Sequence, residues 1–200
     1  MKWRMQWKMI VTIGLTCITM VVTGCGKNKD KDTDKDKSGI KTITNLADED
    51  LEEVMQVKLS PYKSNTINTP DGALSMMVPA GAVSSEVALT IYRIKEAKLP
   101  NFIVGKAFLF KPEGLQFEKD VTLSFALDDT NGHSEHLRVA RLDDASGKIY
   151  VLNEQTWANL TKTVSGKTIH LSSYGVVNKE KLSDGDIDND NIPKTLSDGY

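Results

Sequence analysis

Cysteine is almost absent from this 200-residue chain: Cys17 and Cys25 are its only two. A disulfide scaffold needs many more, so that class is excluded. Charge of one sign is also missing. With 25 bases against 27 acids the formal charge is −2, which does not suit a basic nucleic-acid binder. No apolar run approaches the ~20 residues of a membrane span. Aromatics make up only 6% of the chain, so a core built mainly on Val, Ile and Leu is expected.

What is present begins with an address. Lys2, Arg4 and Lys8 form a basic start without an acid, and Met9 to Val22 is an uncharged apolar run. That run is too short to span a bilayer and has the length of a signal h-region. It ends in Val22-Thr23-Gly24-Cys25, small residues before a cysteine. This resembles the bacterial lipobox, whose cysteine takes a diacylglyceryl group and becomes the mature N-terminus. Residues 1–24 are then a lipoprotein signal peptide, and Cys25 is the lipidation site. The resemblance implies palmitate-type acylation and a membrane-anchored extracytoplasmic location, with two acyl chains sufficient for stable anchoring. The alternative is an ordinary cleaved signal that happens to contain a cysteine. Without Lys2, Arg4 and Lys8 the chain keeps 22 bases against 27 acids, and such an acidic surface is not drawn to anionic lipid. With Cys17 removed and Cys25 acylated, no thiol remains for a disulfide, a zinc site or a nucleophile.

Residues 25–45 read as a charged flexible linker, because Lys27 to Ser38 alternates Lys and Asp without a large apolar residue. In 46–63, Asn45 reads as an N-cap, and Ala47, Leu51, Val54 and Met55 fall on one helical face. A short helix from Leu46 to about Val57 is expected. From residue 64 to 178 the pattern changes to short β runs punctuated by Gly, Pro and Asp. Runs at 74–78, 87–92, 108–110, 121–125, 137–142, 149–152, 168–171 and 174–177 give about eight strands. An all-β antiparallel sandwich follows. Residues 179–200 read as an acidic, disordered tail.

Three blocks in that region resemble one family. Gly72-Ala73-Leu74 leads to Val78-Pro79-Ala80-Gly81-Ala82-Val83. Next comes Phe108-Leu109-Phe110-Lys111-Pro112-Glu113-Gly114-Leu115-Gln116-Phe117 with Val121-Thr122-Leu123. The third is Trp157 with His170-Leu171-Ser172-Ser173-Tyr174. Together they are similar to the ZU-five domain, a β-sandwich of netrin receptors, zonula occludens proteins and ankyrins. The resemblance implies a non-enzymatic interaction module with an unknown protein or surface ligand as partner. Independently of it, Pro79 with Gly81, and Pro112 with Gly114, are turn chemistry.

Candidate chemistry is sparse. His170-Leu171-Ser172 resembles the His-Leu-Ser/Thr cleavage site of adhesion-receptor autoproteolysis domains. There a histidine takes the serine proton and the oxygen attacks the preceding carbonyl. The plainer expectation is that Ile169, Leu171 and Tyr174 anchor a last strand while His170 and Ser172 face water. His133 and His136 flank Ser134-Glu135 near the Asn131-Gly132 turn signal and read as loop histidines rather than metal ligands. Asp128-Asp129 and Asp143-Asp144 sit at turn signals and read as turn residues, not a glycosidase pair. In the tail, Asp186, Asp188 and Asp190 alternate as calcium-loop ligands do, so weak calcium binding is a second expectation. No other cofactor is expected. The combined reading is a lipid-anchored, non-catalytic binding or structural module, with self-cleavage between Leu171 and Ser172 and calcium binding as alternatives.

Overall fold

In the computed structural model, residues 43, 45–128, 134–143 and 146–182 are described. The signal segment, Cys25, the Lys/Asp linker and the acidic tail with Asp186, Asp188 and Asp190 lie outside them.

The described residues form eleven strands: β1 (Leu51–Leu59), β2 (Asn65–Asn68), β3 (Leu74–Val78), β4 (Val87–Ile94), β5 (Ile103–Lys111), β6 (Gln116–Ala126), β7 (Leu137–Leu142), β8 (Ile149–Val151), β9 (Asn153–Ala158), β10 (Thr163–His170) and β11 (Ser173–Asn178). They build two antiparallel sheets. One has six strands in the order β1-β4-β5-β11-β7-β8, the other five in the order β2-β3-β6-β10-β9. The protein is an all-β antiparallel sandwich. All eight expected strands are present, and β1, β2 and β9 are additional.

The helix expected from Leu46 to about Val57 is corrected: only Asp48–Asp50 is helical, as one 3₁₀ turn, and Leu51 onward is strand. The cause is a β-bulge. Glu53 pairs with Tyr92 and Met55 with Ile91, so Val54 is an extra residue that reverses which face the side chains take. Leu51 therefore packs on the outer side of the sheet, whereas Val54, Met55 and Val57 pack inward. A bulged period of two imitates a helical 3–4 spacing over so short a stretch. The sandwich thus begins at Leu51 rather than at residue 64.

The two sheets differ in how they are buried. The inter-sheet core takes Leu89 and Ile91 of β4, Phe108 and Phe110 of β5, Tyr174 and Val176 of β11, and their counterparts Leu123, Phe125 and Val164 across the gap. The alternate residues of the six-stranded sheet form a second apolar cluster on its outer face, including Ile94, Leu109, Leu142 and Val177. Ile43, Leu46, Leu99, Phe102 and Leu182 cover it. Both faces of that sheet are dry, which is why Phe108-Leu109-Phe110 is an unbroken apolar run. The five-stranded sheet alternates cleanly instead. The core is mainly Val, Ile and Leu, as expected, and Phe102, Phe108, Phe110, Phe117 and Phe125, every phenylalanine of the chain, are buried among them along with Tyr174. A fully packed aromatic buries ~150–250 Å², so a few placed centrally outweigh their number.

Turn glycines act where expected. Gly81 (φ +74°) donates its N–H to Pro61 O at 2.8 Å, and Gly114 (φ +75°) donates to Leu171 O at 2.9 Å. Both need the left-handed conformation that only glycine adopts without a Cβ penalty.

Candidate functional site

The chain crosses from the five-stranded to the six-stranded sheet at His170-Leu171-Ser172, where β10 ends and β11 begins. Leu171 is fully buried. Its N–H donates to Leu115 O at 2.8 Å, its carbonyl accepts from Gly114, and Ser172 O accepts from Phe110 N at 3.2 Å. The corner is locked by Tyr174, whose hydroxyl donates to His170 O at 2.5 Å and lies 3.0 Å from Thr168 Oγ1. His170 N donates to that same Thr168 Oγ1 at 3.1 Å. Burial pushes the Tyr174 phenol up to about 12, against the Thr168 hydrogen bond and the Arg141 charge, so it stays a neutral donor.

His170 is half-buried rather than water-facing, which corrects the expectation for it, and its Nδ1 is enclosed without a hydrogen-bond partner. Desolvation lowers its pKa, the Arg141 guanidinium adds to this, and a hydrogen bond with the Leu171 backbone opposes both. The imidazole is therefore neutral near pH 7. Ile169 does not anchor the strand: it is 51% exposed, because a register shift between Thr168 and His170 turns it outward, and Thr168 is buried instead. Among the described residues, positive φ outside glycine occurs at Asn45, Glu154 and Lys162, so none falls at residues 170–172.

The other residues singled out in the sequence do not converge. His136 ends the 3₁₀ turn Ser134–His136, with its Nε2 3.2 Å from both Glu135 and Glu180 carboxylates. His133, Asp129 and Asp144 lie outside the described residues. Asp143 closes the loop before β8, accepting from Ser146 N at 3.3 Å. Among the described residues, no group of three or more His, Cys, Asp or Glu side chains gathers to hold a metal ion. Nor is any helix among them long and apolar enough to cross a membrane.

A cleft that the sequence did not announce opens where β7 and β9 part at the edge of the sandwich. Its volume is about 410 Å³, within the ~300–1,000 Å³ of small-molecule sites. Leu137, Val164 and the half-buried Trp157 supply apolar wall, and Arg138, Glu135, Ser134 and the Thr156 edge supply polar groups. Trp157 is placed by its pairing with Val164 in β10, which turns its ring toward the sandwich interior. The back is stitched by Gln155: Oε1 accepts from Val139 N at 2.9 Å, while Nε2 donates to Val139 O at 2.7 Å and Leu152 O at 2.9 Å. One amide thus replaces a strand-to-strand bridge between the sheets. Arg138 is fixed too, with Nη1 donating to Glu135 O at 2.8 Å and Leu137 O at 2.7 Å.

The outer face of the five-stranded sheet carries a row of small polar residues beside Lys167 and the exposed Met77. In register across it lie Asn68, Ser75, Ser124, Ser165 and Thr156. Ser165 Oγ donates to Ser124 Oγ at 2.8 Å, and the nearby Lys167 is ion-paired with Glu154. By architecture the protein is an all-β sandwich in which the outer face of one sheet is covered and, among the described residues, the other is not. Compared with known proteins, the chain matches no family model and no curated sequence.

Proposed function

We propose that the chain is an extracytoplasmic lipoprotein, anchored through Cys25, whose ZU-five-like sandwich is a non-catalytic binding module held off the membrane by the Lys/Asp linker. The sequence supports the anchor through its basic start, short apolar run and Cys25 after small residues. The observation that carries the binding reading is the placement of the two ends of the described chain. Ile43 and Leu46 at the start, and Leu182 at the end, pack on the same outer face of the six-stranded sheet. Among the described residues the cover lies on that face and none lies over the outer face of the five-stranded sheet, which is the surface offered for contact. The test is expression of the full chain in a bacterium fed an alkyne-bearing fatty acid, beside Cys25→Ala. Labelling and recovery with membranes are expected for the parent and lost in the variant; an unlabelled parent refutes the anchor.

A second reading, self-cleavage between Leu171 and Ser172, is favoured by the neutral His170 beside a Leu171 carbonyl that already accepts the Gly114 N–H. In it Ser172 Oγ adds to the Leu171 carbonyl carbon while His170 takes the hydroxyl proton. The Ser172 nitrogen then leaves with a proton, and water hydrolyses the resulting ester. Denaturing intact-mass analysis of the full chain beside Ser172→Ala decides it: a single uncut mass after long incubation removes this reading.

A further inference from the structure

We propose that the cleft between β7 and β9 binds a carboxylated sugar, the repeating unit of an acidic polysaccharide, with Arg138 taking the carboxylate and Trp157 the ring face. This deepens the binding-module reading above and rests on it, while standing apart from the question of the anchor.

Arg138 points to the anion. Its Nη1 is held by two backbone carbonyls, which leaves the Nε–Nη2 edge of the guanidinium without a hydrogen-bond partner among the described residues. No carboxylate among them pairs with it either. The neighbouring acid, Glu135, lies against His136, which Glu180 approaches from the other side at the same 3.2 Å. A guanidinium edge fixed in this way is preorganised for a side-on, two-bond grip on a carboxylate. A lysine in its place would offer a point charge without that fork.

Trp157 and the hydroxyls point to the sugar. The indole is half-buried against Val164 and Leu137 yet lines open space, and no hydrogen bond occupies its N–H among the described residues. The Ser134 hydroxyl at the rim likewise has no partner among the described residues. A sugar ring presents an apolar C–H face and a fringe of hydroxyls, matching a flat aromatic wall edged by polar groups. An aromatic acid would use the wall and the guanidinium but leave the Ser134 hydroxyl unmatched. The Gln155 amide is already consumed in joining the sheets, so it shapes the cleft without contributing a ligand contact.

The probe is trigalacturonate, titrated into the purified full chain by calorimetry, with its methyl ester and 2-naphthoate as comparison ligands. With Trp3→Phe and Trp7→Phe in the chain titrated, Trp157 is its one tryptophan, so its fluorescence reports on the same site. Expected are saturable binding of the free acid with a shift in tryptophan emission, and at least tenfold weaker binding of the methyl ester. Arg138→Gln should lose at least tenfold, and Arg138→Lys should fall between. If Arg138→Gln melts early, Ser134→Ala and Arg138→Lys carry the test. Absence of binding overturns the proposal, as does equal binding of acid and ester, or an unchanged affinity in folded Arg138→Gln. Tighter binding of 2-naphthoate overturns the saccharide assignment. None of these outcomes bears on acylation at Cys25, which fatty-acid labelling reads separately.

Discussion

Removing one oxygen from the sheet crossover tests how the corner is held. Tyr174→Phe deletes the hydroxyl that donates to His170 O at 2.5 Å and meets Thr168 Oγ1 at 3.0 Å, while the ring keeps its edge contact with Phe110 at 6.0 Å. The loss is cushioned, because the Thr168 hydroxyl already lies 3.2 Å from His170 O and can give its single proton there. A net cost of about 1–2 kcal/mol is expected, against ~3–5 kcal/mol for Tyr174→Ala, which also opens a cavity. Thr168→Val removes the acceptor of His170 N–H and should cost about 1–3 kcal/mol. In the double variant both donors to His170 O are gone, and that part-buried carbonyl is left without either. The two losses should therefore exceed additivity by about 1 kcal/mol, read from urea-unfolding midpoints at constant slope. Additivity within ~0.3 kcal/mol would falsify the shared-acceptor account.

Acid should weaken the fold in two separate windows. The folded His170 has its pKa below the ordinary 6.5, so the unfolded chain takes up the proton first as pH falls. Its contribution is complete above about 6.5 and is lost below it; His170→Gln should flatten the melting temperature between pH 7 and pH 5. Asp71 is raised by desolvation, but its bonds to Thr69, Lys106 and the Ala73 N–H prevail and hold it well below the ordinary carboxylate value of 3.8. Stability due to Asp71 is therefore present above that value and lost beneath it, a loss that Asp71→Asn should remove from the acid-unfolding curve. Two glycines separate strain from space: Gly114→Ala meets no atom within 4 Å but sits at φ +75°, and should cost about 1 kcal/mol. Gly166→Ala places its Cβ 3.0 Å from Leu152 Cβ and 3.3 Å from Val139 Cβ, and should cost about 1–3 kcal/mol by overpacking. Gln155→Leu should cost about 1–3 kcal/mol and shift Trp157 emission to the red, since it unstitches Val139 behind the cleft; unchanged emission would contradict that placement.

How far these features could be read from the residues follows from where the information lies. Strands such as Val121-Thr122-Leu123-Ser124-Phe125 declare themselves because one face is dry and the other wet, so hydrophobicity alternates along the chain. β1 hid because the bulge at Val54 breaks that alternation, and β9 hid because Asn153-Glu154-Gln155-Thr156-Trp157-Ala158 is an edge strand with little apolar content. The crossover was legible as a motif but not as geometry: two-residue spacing put His170 and Ser172 on one face, whereas the register shift at Ile169 and the Tyr174 bond decide what they meet. The cleft left no trace at all. Arg138, Gln155 and Trp157 are separated by seventeen and two positions, and no local pattern joins them. They meet because β7 and β9 belong to different sheets whose edges coincide, and because a glutamine amide takes the place of a strand pair there. The weak hydrophobicity that made β9 unreadable as a strand is also what joins this edge: Gln155, silent in an apolar pattern, spends its amide on Val139 and Leu152 where a strand pair would otherwise run.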